Sequence, residues 1–82
     1  MAKSAAAISE KITDIIRKQG DDYVTIEWKK FYKLAERDRI KDAFLASLKY
    51  ELRKRSFLMV DGNSVIIIAK DFNSHPIKED YI

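Results

Sequence analysis

Two β-prone runs stand on either side of a four-residue turn, and no other feature restricts the fold as tightly. Phe57-Leu58-Met59-Val60 and Val65-Ile66-Ile67-Ile68 flank Asp61-Gly62-Asn63-Ser64. Branched and aromatic residues favour extended chain, and a short turn carrying Asp-Gly between two such runs signals a hairpin. Immediately upstream, Phe44, Leu45, Leu48 and Leu52 recur at spacings that keep one helix face apolar. Residues 39–69 therefore read as a helix running directly into a hairpin.

The upstream chain adds two helices and a short strand. Ile8, Ile12, Ile15 and Ile16 form one apolar face, which predicts a helix over 4–18, with Gly20 placed to stop it in a left-handed conformation. Tyr23-Val24-Thr25-Ile26 reads as a brief strand, and Thr25 is placed to cap the next helix. That helix is expected over 26–36. Trp28, Phe31, Leu34 and Ala35 would turn inward, with Tyr32 at the edge and Lys29, Lys30, Lys33 and Arg37 on the opposite face.

No Gly or Pro stands between Trp28 and Arg55, so one long helix competes with two. The apolar face decides against it. Continuing the Trp28–Phe31–Ala35 face would bury Asp38, Arg39 and Asp42. It restarts instead at Ile40 and Phe44, rotated by roughly 140° at about 100° per residue. A turn near 37–39 resolves the conflict, with Asp38 as N-cap of a third helix over 39–54. The outward face of that helix would carry Asp42, Ala43, Ala46, Lys49, Tyr50 and Arg53, with Lys54 at its margin.

The run Val65–Ile68 is apolar on both strand faces. Its far side needs cover, from the chain's own tail or from another subunit, and the tail is the expected cover. Residues 1–72 would form one domain and 73–82 a tail. There, Asn73-Ser74-His75-Pro76 reads as a turn, and Ile77, Tyr81 and Ile82 could pack back or bind a partner.

At 82 residues the chain can hold one small core and little pocket. It has no cysteine, one histidine and two glycines. Thiolate chemistry, a disulfide framework and a Gly-rich phosphate loop are thereby excluded, and a Ser–His–acid triad would rest wholly on His75. The expectation is a protein that is not an enzyme and that uses no metal or cofactor. The apolar run in MAKSAAAISEK is too short for a signal peptide, and no apolar run reaches membrane-spanning length. An intracellular, cytoplasmic protein is expected. The formal net charge is +3, but residues 28–55 carry ten Lys or Arg against four acids, between mildly acidic ends. A basic centre suits an anionic partner; a solvated lysine-rich surface is the plainer reading.

The order helix, short strand, helix, turn, helix, hairpin, with the join LASLKYELRKRSFLMVDGNSVIII, resembles the winged-helix superfamily over residues 5–70. The resemblance implies an α+β domain of three helices followed by a β-hairpin wing, with a short strand between the first two helices that pairs with the wing. It also implies a third helix in the DNA major groove and a second helix across the backbone. Ala46, Lys49, Tyr50, Arg53 and Lys54 would then face bases or phosphates, with Lys29, Lys30, Lys33 and Arg37 on phosphates. Two positions depart from the family pattern. Arg55-Ser56 stands where Gly often follows the third helix, and the wing tip carries Asp61 but no Lys or Arg. An acidic tip repels phosphate, so contact should rest on the helices.

The resulting expectation is a small transcription regulator, such as a repressor, on double-stranded DNA. As a homodimer it would double its basic surface. The alternative is an accessory module that binds a DNA-bound protein through Ile77, Tyr81 and Ile82, in the manner of a phage- or plasmid-type corepressor that stabilises a repressor on its operator.

Overall fold

The computed structural model describes residues 3–73 and 75–82. Ser74, within the stretch expected to turn, and the first two residues lie outside them. The chain forms a small α+β domain of three helices and a three-stranded antiparallel sheet. Helix α1 spans Ala5–Gln19. The Ser4 hydroxyl accepts a hydrogen bond from the Ala7 N–H at 3.2 Å, satisfying one orphan donor at the start. Gly20, at φ 73°, ends the helix and donates its N–H to the Ile16 carbonyl. Ile8, Ile12 and Ile16 are buried, while Ile15 is only half-buried. Ser9 and Thr13 are buried beside them, with their hydroxyls donating back to the carbonyls of Ala6 and Glu10.

Strand β1 spans Tyr23–Glu27 and helix α2 spans Trp28–Ala35. Ile26 thus belongs to the strand. Thr25 does not cap α2, because it is a mid-strand residue; Glu27 holds the cap position with no side-chain bond. The predicted break is present and longer than expected. Glu36 ends α2 in the left-handed conformation, and helix α3 starts only at Asp42, running Asp42–Lys54. Lys41 takes the cap position without a side-chain bond, so Asp38 is not the N-cap.

Strands β2 (Phe57–Asp61) and β3 (Val65–Lys70) form the hairpin. The sheet order is β1-β3-β2, which differs from a layout with the hairpin appended as a separate wing. The last strand is central, pairing Val24 with Ile68 on one side and Met59 with Ile68 on the other. The hairpin is therefore a wall of the core. Phe57, Met59, Ile66 and Ile68 are buried with Ile8, Ile12, Ile16, Phe31, Ala35, Leu45, Leu48 and Leu52. After β3 the chain turns off the sheet and ends in a 3-10 turn at Glu79–Tyr81. The expectation that this tail covers the outer face of the sheet is not met, since Ile77, Tyr81 and Ile82 are 74%, 80% and 93% exposed.

Between α3 and β2, Ser56 adopts φ 66°, the conformation that glycine takes without strain. Its N–H donates to the Arg53 carbonyl, and its carbonyl accepts from the Asp71 N–H. The turn that aims the chain into the sheet is thus fixed at both ends, at a cost of about 1–2 kcal/mol for a residue with a Cβ. Ser56→Gly should raise stability by about 0.5–1 kcal/mol, after allowing for glycine's freer unfolded chain. In a thermal melt this reads as a rise of a few degrees; an unchanged or lower midpoint would show that the turn is unstrained.

Candidate nucleic-acid interface

Helix α3 packs on α1 and the hairpin through Leu45, Leu48 and Leu52, which fixes what it can present outward. At about 100° per residue, Ala43, Ala46, Tyr50 and Arg53 lie opposite that buried face. All four are exposed, Tyr50 to 65%. The small side chains at 43 and 46 leave the helix backbone open to close approach. Arg53 has no carboxylate partner among the described residues. Lys54 lies to one side, 3.2 Å from the Glu51 carboxylate, with its ammonium 5.4 Å from the centroid of the Tyr50 ring.

Lys49 sits on the other margin and is not free. It is half-buried, and its ammonium pairs with the carboxylate of Asp61 at the end of β2. The hydrogen bond from Lys49 holds the Asp61 carboxyl below the usual carboxylate range, helped by a backbone hydrogen bond and by the lysine charge. The only acid in the hairpin is thereby turned towards α3 and neutralised there. A second contact fixes the same turn from the other side. The Trp28 indole N–H donates to the Gly62 carbonyl at 2.8 Å, and its ring meets Phe31 edge to face at 6.0 Å. The hairpin turn thus braces the start of α2 and the middle of α3.

On α2, Lys29, Lys30 and Lys33 are all exposed. Lys30 lies 3.8 Å from Glu27; Lys29 and Lys33 have no carboxylate partner among the described residues. Arg37 does not extend this stripe, because the helix ends before it. It is half-buried, donates from Nη2 to the Lys3 carbonyl at 3.0 Å, and sets its guanidinium 3.9 Å over the Phe44 ring. Its role is to fasten the link between α2 and α3. Two cations of that link, Arg39 and Lys41, are exposed and were not singled out from the sequence, where residue 39 reads as the start of the third helix. Their signal was present all the same, since both belong to the basic centre of the chain.

The expected partner residues Ile77, Tyr81 and Ile82 are brought together with none of these groups. A separate open hollow of about 590 Å³ lies where α1 meets β1, lined by Gln19, Gly20, Asp21, Asp22, Tyr23, Val24, Thr25 and His75. His75 Nε2 stands 3.6 Å from Asp22 there. Among the described residues, no three His, Asp or Glu side chains converge as metal ligands, and no helix is long and apolar enough to cross a membrane. Comparison with known proteins finds no match to any family model, curated protein or solved structure.

The Lys49–Asp61 pair makes a pH-dependent prediction. The folded carboxyl is depressed, so its contribution to stability is present above the unfolded carboxylate value and is lost as pH falls through the folded one. A double-mutant cycle of Lys49→Met and Asp61→Asn should show coupling at neutral pH that has diminished near about pH 2, below the normal carboxylate range. Equal coupling at both values would contradict the bridge.

Proposed function

We propose that this chain is a small DNA-associated regulator of the winged-helix type, docking on duplex DNA through α3 and α2. The observation that carries the proposal is the outward face of α3. It presents Ala43, Ala46, Tyr50 and an Arg53 without a carboxylate partner among the described residues. Such a face can approach a groove closely, with Tyr50 stacking or hydrogen-bonding and Arg53 meeting phosphate or a base edge. Lys29 and Lys33 on α2, with Arg39 and Lys41 on the link, supply further phosphate contacts. The objection raised by an acidic wing tip is met by Lys49, which neutralises Asp61. Lys49 itself then acts as a brace, and Arg37 as a fastener, while Arg53 and the lysines of α2 take the phosphate roles.

A second reading is favoured by a different observation. The outer face of the sheet and Ile77, Tyr81 and Ile82 are apolar and exposed, as an accessory module docking on a DNA-bound repressor would need. Under that reading the chain stabilises a complex without reading DNA.

The two readings separate on a labelled random duplex followed by fluorescence anisotropy across a salt series. The DNA reading predicts binding that falls steeply with salt. Lys29→Ala, Lys33→Ala and Arg53→Ala together should weaken it and flatten the slope of log K against log salt by about 0.9 for each phosphate no longer neutralised. Arg37→Ala should lower the melting temperature and leave that slope unchanged. Absence of binding at low salt removes the DNA reading and leaves the accessory module.

A further inference from the structure

The sheet has a second face that the described chain meets only at its Tyr23 edge, beside His75. Register places Tyr23, Ala69 and Leu58 in one row across all three strands, and Thr25, Ile67 and Val60 in the next. Tyr23, Leu58, Val60 and Ile67 are 55%, 40%, 59% and 39% exposed. Among the outward-facing positions of the three strands the only charge is Glu27, paired with Val65 at one end and already beside Lys30. In a chain that is 35% charged, so neutral and apolar a face is unusual.

The chain's own tail leaves this face bare. The Asp71 N–H donates to the Ser56 carbonyl and the Phe72 N–H to the Lys70 carbonyl, turning the chain off the end of the sheet. His75 then lies beside Asp22 and edge-on to Tyr23, with ring centroids 6.5 Å apart. Beyond it Ile77, Tyr81 and Ile82 project into solvent. One chain therefore holds two bare apolar elements, a face and a tail, that meet at Tyr23.

We infer that the outer sheet face is where a second copy of this chain docks, face to face, with the tail of each copy completing the contact on the other. Charge argues for a copy. The face offers a charged partner nothing to pair with, whereas a two-fold axis sets this neutral patch against itself. Two such sheets would stack about 10 Å apart, as in a sandwich. Area argues for the tails. Three strands paired over five residues give a face of roughly 14 by 17 Å, about 240 Å² in plan. A stable interface takes about 800 Å² from each partner. The face alone falls well short even with its relief, and the exposed tail, with three large apolar side chains, supplies the missing surface. The inference does not depend on the DNA reading, because neither the face nor the tail carries the basic residues of α2 and α3.

The test is sedimentation equilibrium of the full chain without DNA, from about 1 μM to several hundred μM, a range in which a dimer of ordinary affinity dissociates. The mass should rise from 9.6 kDa towards twice that value. Ile67→Glu should weaken association tenfold or more, by placing an unpaired charge in the contact. Val60→Lys, at a more exposed position, should act likewise with an unchanged circular dichroism spectrum, separating weakened association from failed folding. Ile77→Ser with Tyr81→Ser should weaken association while leaving the melting temperature at low concentration unchanged. A wild-type chain that stays monomeric overturns the inference, and so does a dimer that both face variants leave intact. A monomer in which the tail substitutions shift the Ile67 methyl resonance also overturns it, assigning the face to the chain's own tail.

Discussion

The antiparallel pairing of β3 on both its edges is the constraint on which the rest of the structure depends. β3 is last in the chain among the strands and central in the sheet. Its Ile66 and Ile68 are buried in one cluster with the apolar residues of α1 and α3, and its neighbours add Phe57 and Met59 from β2 and Val24 and Ile26 from β1. A domain of this size has room for one core. Each helix must therefore set an apolar face on that wall, and each helix's outward face follows from it. What α3 presents to solvent is decided by which of its residues, Leu45, Leu48 and Leu52, the core draws inward.

The hairpin turn links this wall to the candidate interface. Asp61 meets Lys49 of α3, and Gly62 meets the Trp28 indole at the start of α2. The Trp28 contact bridges elements distant in sequence and the Lys49 contact two consecutive ones, and together they fix the two helices relative to the sheet. They also settle a charge problem. An unpaired carboxylate at the hairpin turn would oppose any phosphate nearby, whereas a paired one leaves Arg53, Lys29 and Lys33 to set the local field. The same lysine cannot brace the turn and bind phosphate freely, which moves the weight of the proposed contact from Lys49 to Arg53.

Much of the fold is legible in the sequence because its signals are local. The four-residue spacing of Ile8, Ile12 and Ile16, Gly20 at a left-handed helix end, and Asp-Gly between two β-prone runs each act within a few residues. The break between α2 and α3 is legible because the apolar face rotates there. Its far end is not, because Lys41 caps α3 without a side-chain bond and so leaves no mark. The strand order is hidden for another reason. Which hairpin strand Tyr23–Glu27 joins is settled by packing across the whole core and by no residue pattern near it. Of the candidate site, the exposed lysines of α2 and the outward residues of α3 follow from helix periodicity. The roles of Arg37 and Lys49 do not, since a guanidinium over Phe44 and an ammonium on Asp61 are tertiary contacts. The bare tail shows the same limit: the sequence says that Val65–Ile68 needs cover on two sides but not what provides it.

The central claim is that duplex DNA meets the outward face of α3. An NMR titration of the isotopically labelled chain with a short random duplex at low salt addresses it residue by residue. The account predicts amide shifts concentrated at Ala43, Ala46, Tyr50 and Arg53, extending to Lys29 and Lys33, with Thr25 and Ile67 on the outer sheet face unmoved. Shifts centred on the outer sheet face, or none along α3, would contradict it.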